Sequence, residues 1–536
     1  VDARPSGPHE RRRHGARDPS AVPRAGPGAG AGPAHRVPCC AVHGLIRRLL
    51  TTTAAYQVGD LVSKVFAVAL LPVYTRHVTE AQYGVAELLM TGIVLLSIFV
   101  RLGIGEAFVR YYYADEDPAR RDAHARRAVG FLLAATTVVA IPLAIFAAPL
   151  SELVLDARDP GVWRIAVLGL WAFTNLELAY ALLRVDERVK AYAAATLSNV
   201  LLTIAATVYL VVVRDEGAHG LLLGNYGAST VVLLALWWTL RGRLLPRRGG
   251  SAHPRLHPLR ALLRFGLPTV PADASVYALN LVDRYVLFHK YGAATAGVYS
   301  LAVKLAGVVA FVVRAFQYSW PPLAYSIRSD EEAARFYAFI ATYYLLLTGW
   351  AVAALLLLGR WMTRLLAAPA FFEAHLALPW LALGWALYGL FVIFVVIAGR
   401  AEVTTRNFPA AAVGLAVNVV LLLTLTPPLG IAGAGLALAG AYVAMLIVMR
   451  LLTRRLFPVA FEWGRIALLA AVLGGAAGAG ELLLPTDGLA GLAARAALAA
   501  ALPALLAPLR FYRDEERALV RAALARLRPG RGRSTA

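Results

Sequence analysis

The sequence predicts an all-α polytopic membrane protein of about 14 transmembrane helices, built as two pseudo-symmetric six-helix lobes followed by two C-terminal helices. Three observations lead there. Of the 536 residues, 59% are hydrophobic and only 16% are charged, against roughly 25% charged in an average soluble domain. The apolar residues gather into runs long enough to cross a bilayer, which takes about 20 residues. The chain also repeats itself weakly, at the interval that separates Asp60 from Asp273.

Residues 1–45 are rich in Pro, Gly, Ala and Arg and read as a disordered basic tail. No apolar stretch and cleavage site follow the basic residues, so the tail does not read as a signal peptide. The sequence begins on valine, and a native start near Val42 is the expectation, checked by N-terminal sequencing. Cys39 and Cys40 are adjacent and make neither a disulfide framework nor a zinc set.

Apolar runs then follow at 49–75, 85–109, 128–150, 162–183, 192–213, 219–240, 262–288, 296–318, 333–359, 372–399, 408–426, 431–449, 466–484 and 489–509. The eleventh and twelfth are short. Pro427, Pro428 and Gly430 lie between them, which predicts a tight reversal. The expected divisions are an N-lobe over 46–245, a C-lobe over 246–455, two further helices over 456–511 and a basic cytoplasmic tail over 512–536. In that tail Arg513, Arg517, Arg521 and Arg528 lie near one side of a possible helix. Leu519, Val520, Leu524 and Leu527 supply its apolar contacts. The pattern suits a segment lying on anionic membrane lipids as well as a solvated tail.

The net charge is +21. So basic a chain first suggests nucleic acid, but the arginines sit in short gaps between the runs, where they act as topology signals. With both termini cytoplasmic, 40 of the 53 Lys and Arg fall inside and 7 outside. The longest outside gaps, 151–161 and 360–371, leave no room for an external catalytic domain. A membrane glycosyltransferase or O-antigen ligase would need one, so the chain does not read as an enzyme.

Under the repeat Asp60 meets Asp273, Val73 meets Val286, Gly84-Val85 meets Gly297-Val298, Leu88 meets Leu301, Arg101 meets Arg314 and Asp117 meets Asp330. Six helices return the chain to its starting side. The two halves must then be related by an axis along the membrane normal, with a cavity between them. The intramembrane pairs Asp60/Asp273 and Arg101/Arg314 carry most of the signal, because such residues are rare in lipid. Lys64, Arg101, Arg284, Lys304 and Arg314 facing lipid would together cost roughly 12–18 kcal/mol, so a wet or protein-lined interior is expected. Asp273, Tyr277, Asn280 and Arg284 form one polar stripe, either the wall of a cavity or glue between helices. Asp60, Asp273, Asp283, Glu87 and Glu106 partly cancel the basic residues, which predicts a cavity of mixed charge. Pro268 and Pro271 interrupt the seventh run and are candidate hinge residues, or a packing kink.

The stretch Phe265-Gly266-Leu267-Pro268, Pro271, Val282-Asp283-Arg284, Gly297-Val298-Tyr299-Ser300-Leu301-Ala302-Val303-Lys304 and Trp320-Pro321 resembles Wzx-type flippases. These form the polysaccharide-export branch of the multidrug/oligosaccharidyl-lipid/polysaccharide exporter superfamily. Leu71-Pro72, Thr75-Arg76, Tyr83-Gly84 and Leu102-Gly103 are similar too, and the resemblance covers roughly residues 45–455. It implies alternating access and a polyprenyl-pyrophosphate-linked oligosaccharide as substrate, moved across the inner membrane for cell-surface polysaccharide biosynthesis. Polysaccharide polymerase machinery is an implied partner, nucleic acid is not, and no catalytic residue, metal or cofactor is implied. Lys64, Arg101, Arg284, Lys304 and Arg314 would stand near the pyrophosphate. Members use ion gradients or membrane potential, for which Asp60, Asp273 and Asp283 are the coupling candidates. The sequence contains no G-x-x-x-x-G-K-[ST] phosphate loop. A drug/cation antiporter, which would want carboxylates to dominate, and a lipid II flippase are the alternatives within the superfamily.

The charge bias predicts that a membrane-impermeant thiol reagent added from outside labels Asp159→Cys and misses Gly250→Cys in a chain with Cys39 and Cys40 replaced by serine. The reverse pattern would invert the topology.

Overall fold

The computed structural model describes residues 66, 68–114, 117–245, 258–401, 403–514 and 516. These belong to one compact unit, Ala55–Ala536. Among the described residues there are helices and no strands. Eleven of those helices are long and apolar enough to cross a membrane. The surface agrees: Leu482 is 86% and Leu489 84% exposed, and Val138, Leu153, Trp238 and Leu365 are largely exposed as well. Soluble proteins rarely expose so much contiguous apolar area. Lipid solvates it here.

The first predicted run is described only at its end, as α1 (Leu71–His77). Thr79 and Gln82 form a reciprocal capping box that starts α2 (Glu80–Arg101). Leu102 and Gly103 have φ of 49° and 67°, and this left-handed step separates α2 from α3 (Ile104–Ala114). Asp117 accepts from the Ala119 amide and opens α4 (Pro118–Ile145), followed by α5 (Ala147–Leu155). Asp159 caps α6 (Pro160–Val185). The N-lobe ends with α7 (Val189–Val208) and α8 (Gly217–Leu244).

The seventh predicted run is two helices. A short α9 (Leu259–Gly266) passes through a 3₁₀ turn at Leu267–Thr269 into α10 (Val270–Tyr291). Pro268 lies in that turn and Pro271 in the first turn of α10, where a missing N–H costs least. Then come α11 (Ala293–Ser326), α12 (Asp330–Leu366) and α13 (Ala374–Arg400). The segment α14 (Asn407–Thr453) breaks at Gly430, with φ 57° and ψ −139°. Gly414 packs on Met445, Gly440 on Leu421 and Gly433 on the Leu425 carbonyl. Those pairs run antiparallel, so the eleventh and twelfth runs form the expected hairpin.

The repeat is visible in the packing of α2 against α11. Glu80 and Ala293, which begin them, are equivalent under it. A Cβ on Gly84 would stand 2.0 Å from the Ala293 carbonyl oxygen, and one on Gly297 would stand 2.0 Å from that of Glu80. The contact is therefore reciprocal, as across a two-fold axis. At the other end of α2 the backbones of Gly103 and Gly266 meet as closely. The two contacts lie about 28 Å apart along the helix, close to the thickness of the hydrocarbon core of about 30 Å.

The last two helices, α15 (Trp463–Leu483) and α16 (Gly488–Leu505), lie outside the repeat and pack on α12. Arg495 joins them. It is fully buried and pairs with Glu481, and it donates to the carbonyls of Leu357, Leu484 and Pro485. Trp350 Nε1 donates to the Ala499 carbonyl at 2.8 Å. In the connecting loop, hydrogen bonding from Arg364 holds the Asp487 carboxyl below its usual range. Of the expected tail segment, residues beyond 516 lie outside the described residues.

Breaking a buried ion pair by removing one partner costs about 3–5 kcal/mol. Arg495→Ala is therefore expected to lower the melting temperature of the purified protein and to expose the 484–488 loop to protease. Unchanged melting would show that α15 and α16 are held by apolar packing alone.

Candidate functional site

Between the lobes lies a cavity of about 510 Å³, within the size range of ligand sites. Met90, Thr91 and Val94 of α2 form its N-lobe wall. Tyr277, Asn280 and Arg284 of α10 and Arg314, Gln317 and Tyr318 of α11 face them, and Trp385, Tyr388 and Tyr442 complete the C-lobe side. The polar stripe of α10 thus lines a cavity from Tyr277 to Arg284. Below the cavity lies the Gly103/Gly266 contact and above it the Gly84/Gly297 contact.

Arg284 is fixed by its neighbours. Its Nε donates to Ser300 Oγ at 3.0 Å and its Nη1 to the Asn280 carbonyl at 2.9 Å. Its Nη2 stands 4.0 Å from Glu87. A guanidinium fixed this way presents an edge to the cavity. Arg314, one of the exposed residues of α11, adds a second positive charge. Gln317 Nε2 donates to Tyr388 Oη at 3.2 Å, and Tyr388 packs against Trp385 and Tyr442 at ring separations of 5.9 and 5.5 Å. The site therefore offers two arginines, amides and a wall of aromatic rings bearing hydroxyls.

The expectation of mixed charge is not what the lining shows. Among its described residues there are two arginines and no carboxylate. Glu87 is turned to Lys304, with Oε1 2.5 Å from Nζ. Asp283 is buried and accepts from Tyr299 Oη at 2.8 Å. Asp273 is exposed at the start of α10, where it interacts with Glu106 and Arg101. Glu87 and Asp283 are thus each held by a partner, Lys304 and Tyr299, that does not line the cavity.

The five basic candidates are distributed unequally. Arg284 and Arg314 share the cavity, and Lys304 stands behind its wall. Arg101 lines a different space of about 400 Å³ inside the N-lobe, with Glu106, Glu177 and Arg184. Lys64 and Asp60 lie outside the described residues. Sequence reasoning missed Gln317, Trp385, Tyr388 and Tyr442 as cavity residues, since each is one polar or aromatic position in an apolar helix.

Residues 49–324, just over half of the chain, match a family model described as polysaccharide biosynthesis protein. The chain belongs to that family. This agrees with the resemblance to Wzx-type members of the exporter superfamily. Over 294 residues the chain is 23% identical to a protein of the Lsg locus of Haemophilus influenzae, covering 53% of this chain and 68% of that protein. Among solved structures it is similar to the lipid II flippase MurJ in an inward closed conformation. The TM-score is 0.67 at 12% identity, over 84% of this chain and 98% of that one. A multidrug resistance MATE family transporter, inward-facing, matches with a TM-score of 0.54 at 15% identity, over 77% and 99%. This polysaccharide biosynthesis family member thus has the fold of flippases and transporters.

Proposed function

We propose that this protein flips a polyprenyl-pyrophosphate-linked oligosaccharide across the inner membrane by alternating access, with both termini cytoplasmic. The observation that carries the reading is the cavity with Arg284 and Arg314 and no described carboxylate in its lining. Two arginines suit a pyrophosphate, because a guanidinium bonds phosphate oxygens in pairs. Tyr277, Trp385, Tyr388 and Tyr442 offer apolar ring faces and hydroxyls to sugars. The lipid tail would remain outside, against the apolar surface. A drug/cation antiporter would want the opposite charge. Flipping of lipid II remains a second reading, favoured by the backbone likeness to MurJ.

Of the two described coupling candidates, Asp283 is the better placed. Its Oδ1 makes no hydrogen bond of full geometry, and the buried Asn418 beside it interacts with the carboxylate without closing one. A buried carboxylate with one oxygen still open, beside a buried amide, suits a proton or a small cation. Asp273, by contrast, is exposed. Pro268 and Pro271, at the 3₁₀ break between α9 and α10, remain the proposed hinge.

Deletion of the gene is expected to cause a lipid-linked glycan to accumulate, identified by mass spectrometry. Arg284→Ala and Lys64→Ala should reproduce that accumulation in protein that still inserts, while Arg284→Lys restores export in part, since lysine lacks the bidentate fork. Full export in both alanine variants would remove these residues from the mechanism. For coupling, Asp283→Asn in proteoliposomes should transport without responding to an imposed pH or sodium gradient. A response equal to wild type would exclude Asp283 as the coupling group.

A further inference from the structure

Glu87 belongs to α2 of the N-lobe, whereas Lys304 and Arg284 belong to α11 and α10 of the C-lobe. Their ion pairs therefore tie the lobes together inside the membrane. Glu87 is only 5% exposed, with Lys304 Nζ on one oxygen at 2.5 Å and Arg284 Nη2 at 4.0 Å from the other. One turn toward the start of α2, Gly84 and Gly297 are in backbone contact. Beside Gly84, Tyr83 packs edge-on against the buried Phe371, and the Lys304 ammonium stands 5.1 Å from the Tyr83 ring centre. This end of the interface thus holds a backbone contact, an aromatic pair and an ion pair close together.

Only the ion pair in this stack can be addressed from the cavity. The Gly84/Gly297 layer has van der Waals attraction alone, which is weak for each atom pair. A buried ion pair strongly resists losing one partner. Arg284 faces both ways: it lines the cavity and it approaches Glu87. We propose that the Glu87–Lys304 pair, backed by Arg284, is an ionic lock holding α2 against α11, and that a phosphate-type dianion arriving in the cavity opens it by competing with Glu87 for Arg284. The inference rests on the flippase reading and names the regulation of the same site. A dianion at Arg284 repels Glu87 and takes over its weaker cation. Once α2 withdraws, Lys304 and Arg284 both lose their internal competitor and become available to the dianion. The open state therefore binds it more tightly, which is the differential affinity that any ligand-driven shift requires. Under the orientation proposed above, the end that opens faces outward.

The test uses the full chain in lipid nanodiscs, with Cys39 and Cys40 replaced by serine. Ala81→Cys and Ala294→Cys, exposed and repeat-related positions at the starts of α2 and α11, carry spin labels for pulsed EPR distances. Inorganic pyrophosphate is the probe. The parent should show a short distance that pyrophosphate converts to a longer one. Glu87→Gln should raise the long-distance fraction about tenfold without pyrophosphate. Glu87→Gln/Lys304→Met, which removes both charges of the pair and so leaves no buried lysine without its carboxylate if the single variant misfolds, should do the same and lose most of its response to pyrophosphate. Glu87→Lys/Lys304→Glu should restore the short distance. Distances in the unligated variants equal to the parent's would overturn the lock. A parent that pyrophosphate leaves closed would overturn the competition for Arg284. If that same protein still exports the glycan in cells, the proposed function stands and only this inference fails.

Discussion

The backbones of α2 and α11 touch because residues 84 and 297 carry no side chain. A bilayer gives helices little hydrophobic reason to associate, since lipid tails are as apolar as leucine. Close approach of small residues supplies the attraction instead. From this crossing the rest of the interior follows. It sets the separation of the lobes, brings Glu87 within reach of Lys304, and leaves the widening space below to become the cavity with Arg284 and Arg314. The Gly103/Gly266 contact bounds the same space at the far end, so the cavity is a gap between two points of backbone contact.

Two buried arginines show two ways of holding a cation in lipid. Arg495 is saturated by Glu481 and a ring of carbonyl oxygens, and it has no opening to a cavity. Its chemistry is structural. Arg284 is held by one hydroxyl and one carbonyl, with a carboxylate at the edge of contact, and it also borders open space. The difference lies in how many acceptors surround the guanidinium, and it separates a fastener from a binding group.

The helices were legible because a bilayer imposes a length, and the hairpin at Pro427, Pro428 and Gly430 because those residues interrupt a helix. The repeat was legible only as scattered identities, yet Gly84 and Gly297 proved to be the pair that touches. What the sequence hid was partnership across helices. Reading along α10 found Arg284, since its stripe shares one face, but not that Ser300 and Glu87 complete it from two other helices. Glu87 was counted among the cavity's acids, whereas its charge is turned into the lobe interface. Arg101 and Arg314 are equivalent in sequence and yet face different spaces. Periodicity identifies the face of one helix and says nothing of the neighbour it meets.

The reciprocal contact at Gly84 and Gly297 has a consequence for ancestry. Residue pairs 84/293 and 297/80 are one contact made twice, the kind that two copies of a single half would make across a dimer axis. In such a homodimer the position of Glu87 would be occupied identically on both sides of the axis. Position 87 of each subunit would meet position 91 of the other, so any acid–base pair there would be made twice. Here the equivalent of Glu87 is Ser300 and the equivalent of Lys304 is Thr91. An acid–base pair made once, with Ser300 and Thr91 at the reciprocal positions, is open only to a chain whose halves can differ in sequence. Two halves within one chain need not match, and this interface carries a one-sided polarity that no pair of identical subunits could hold.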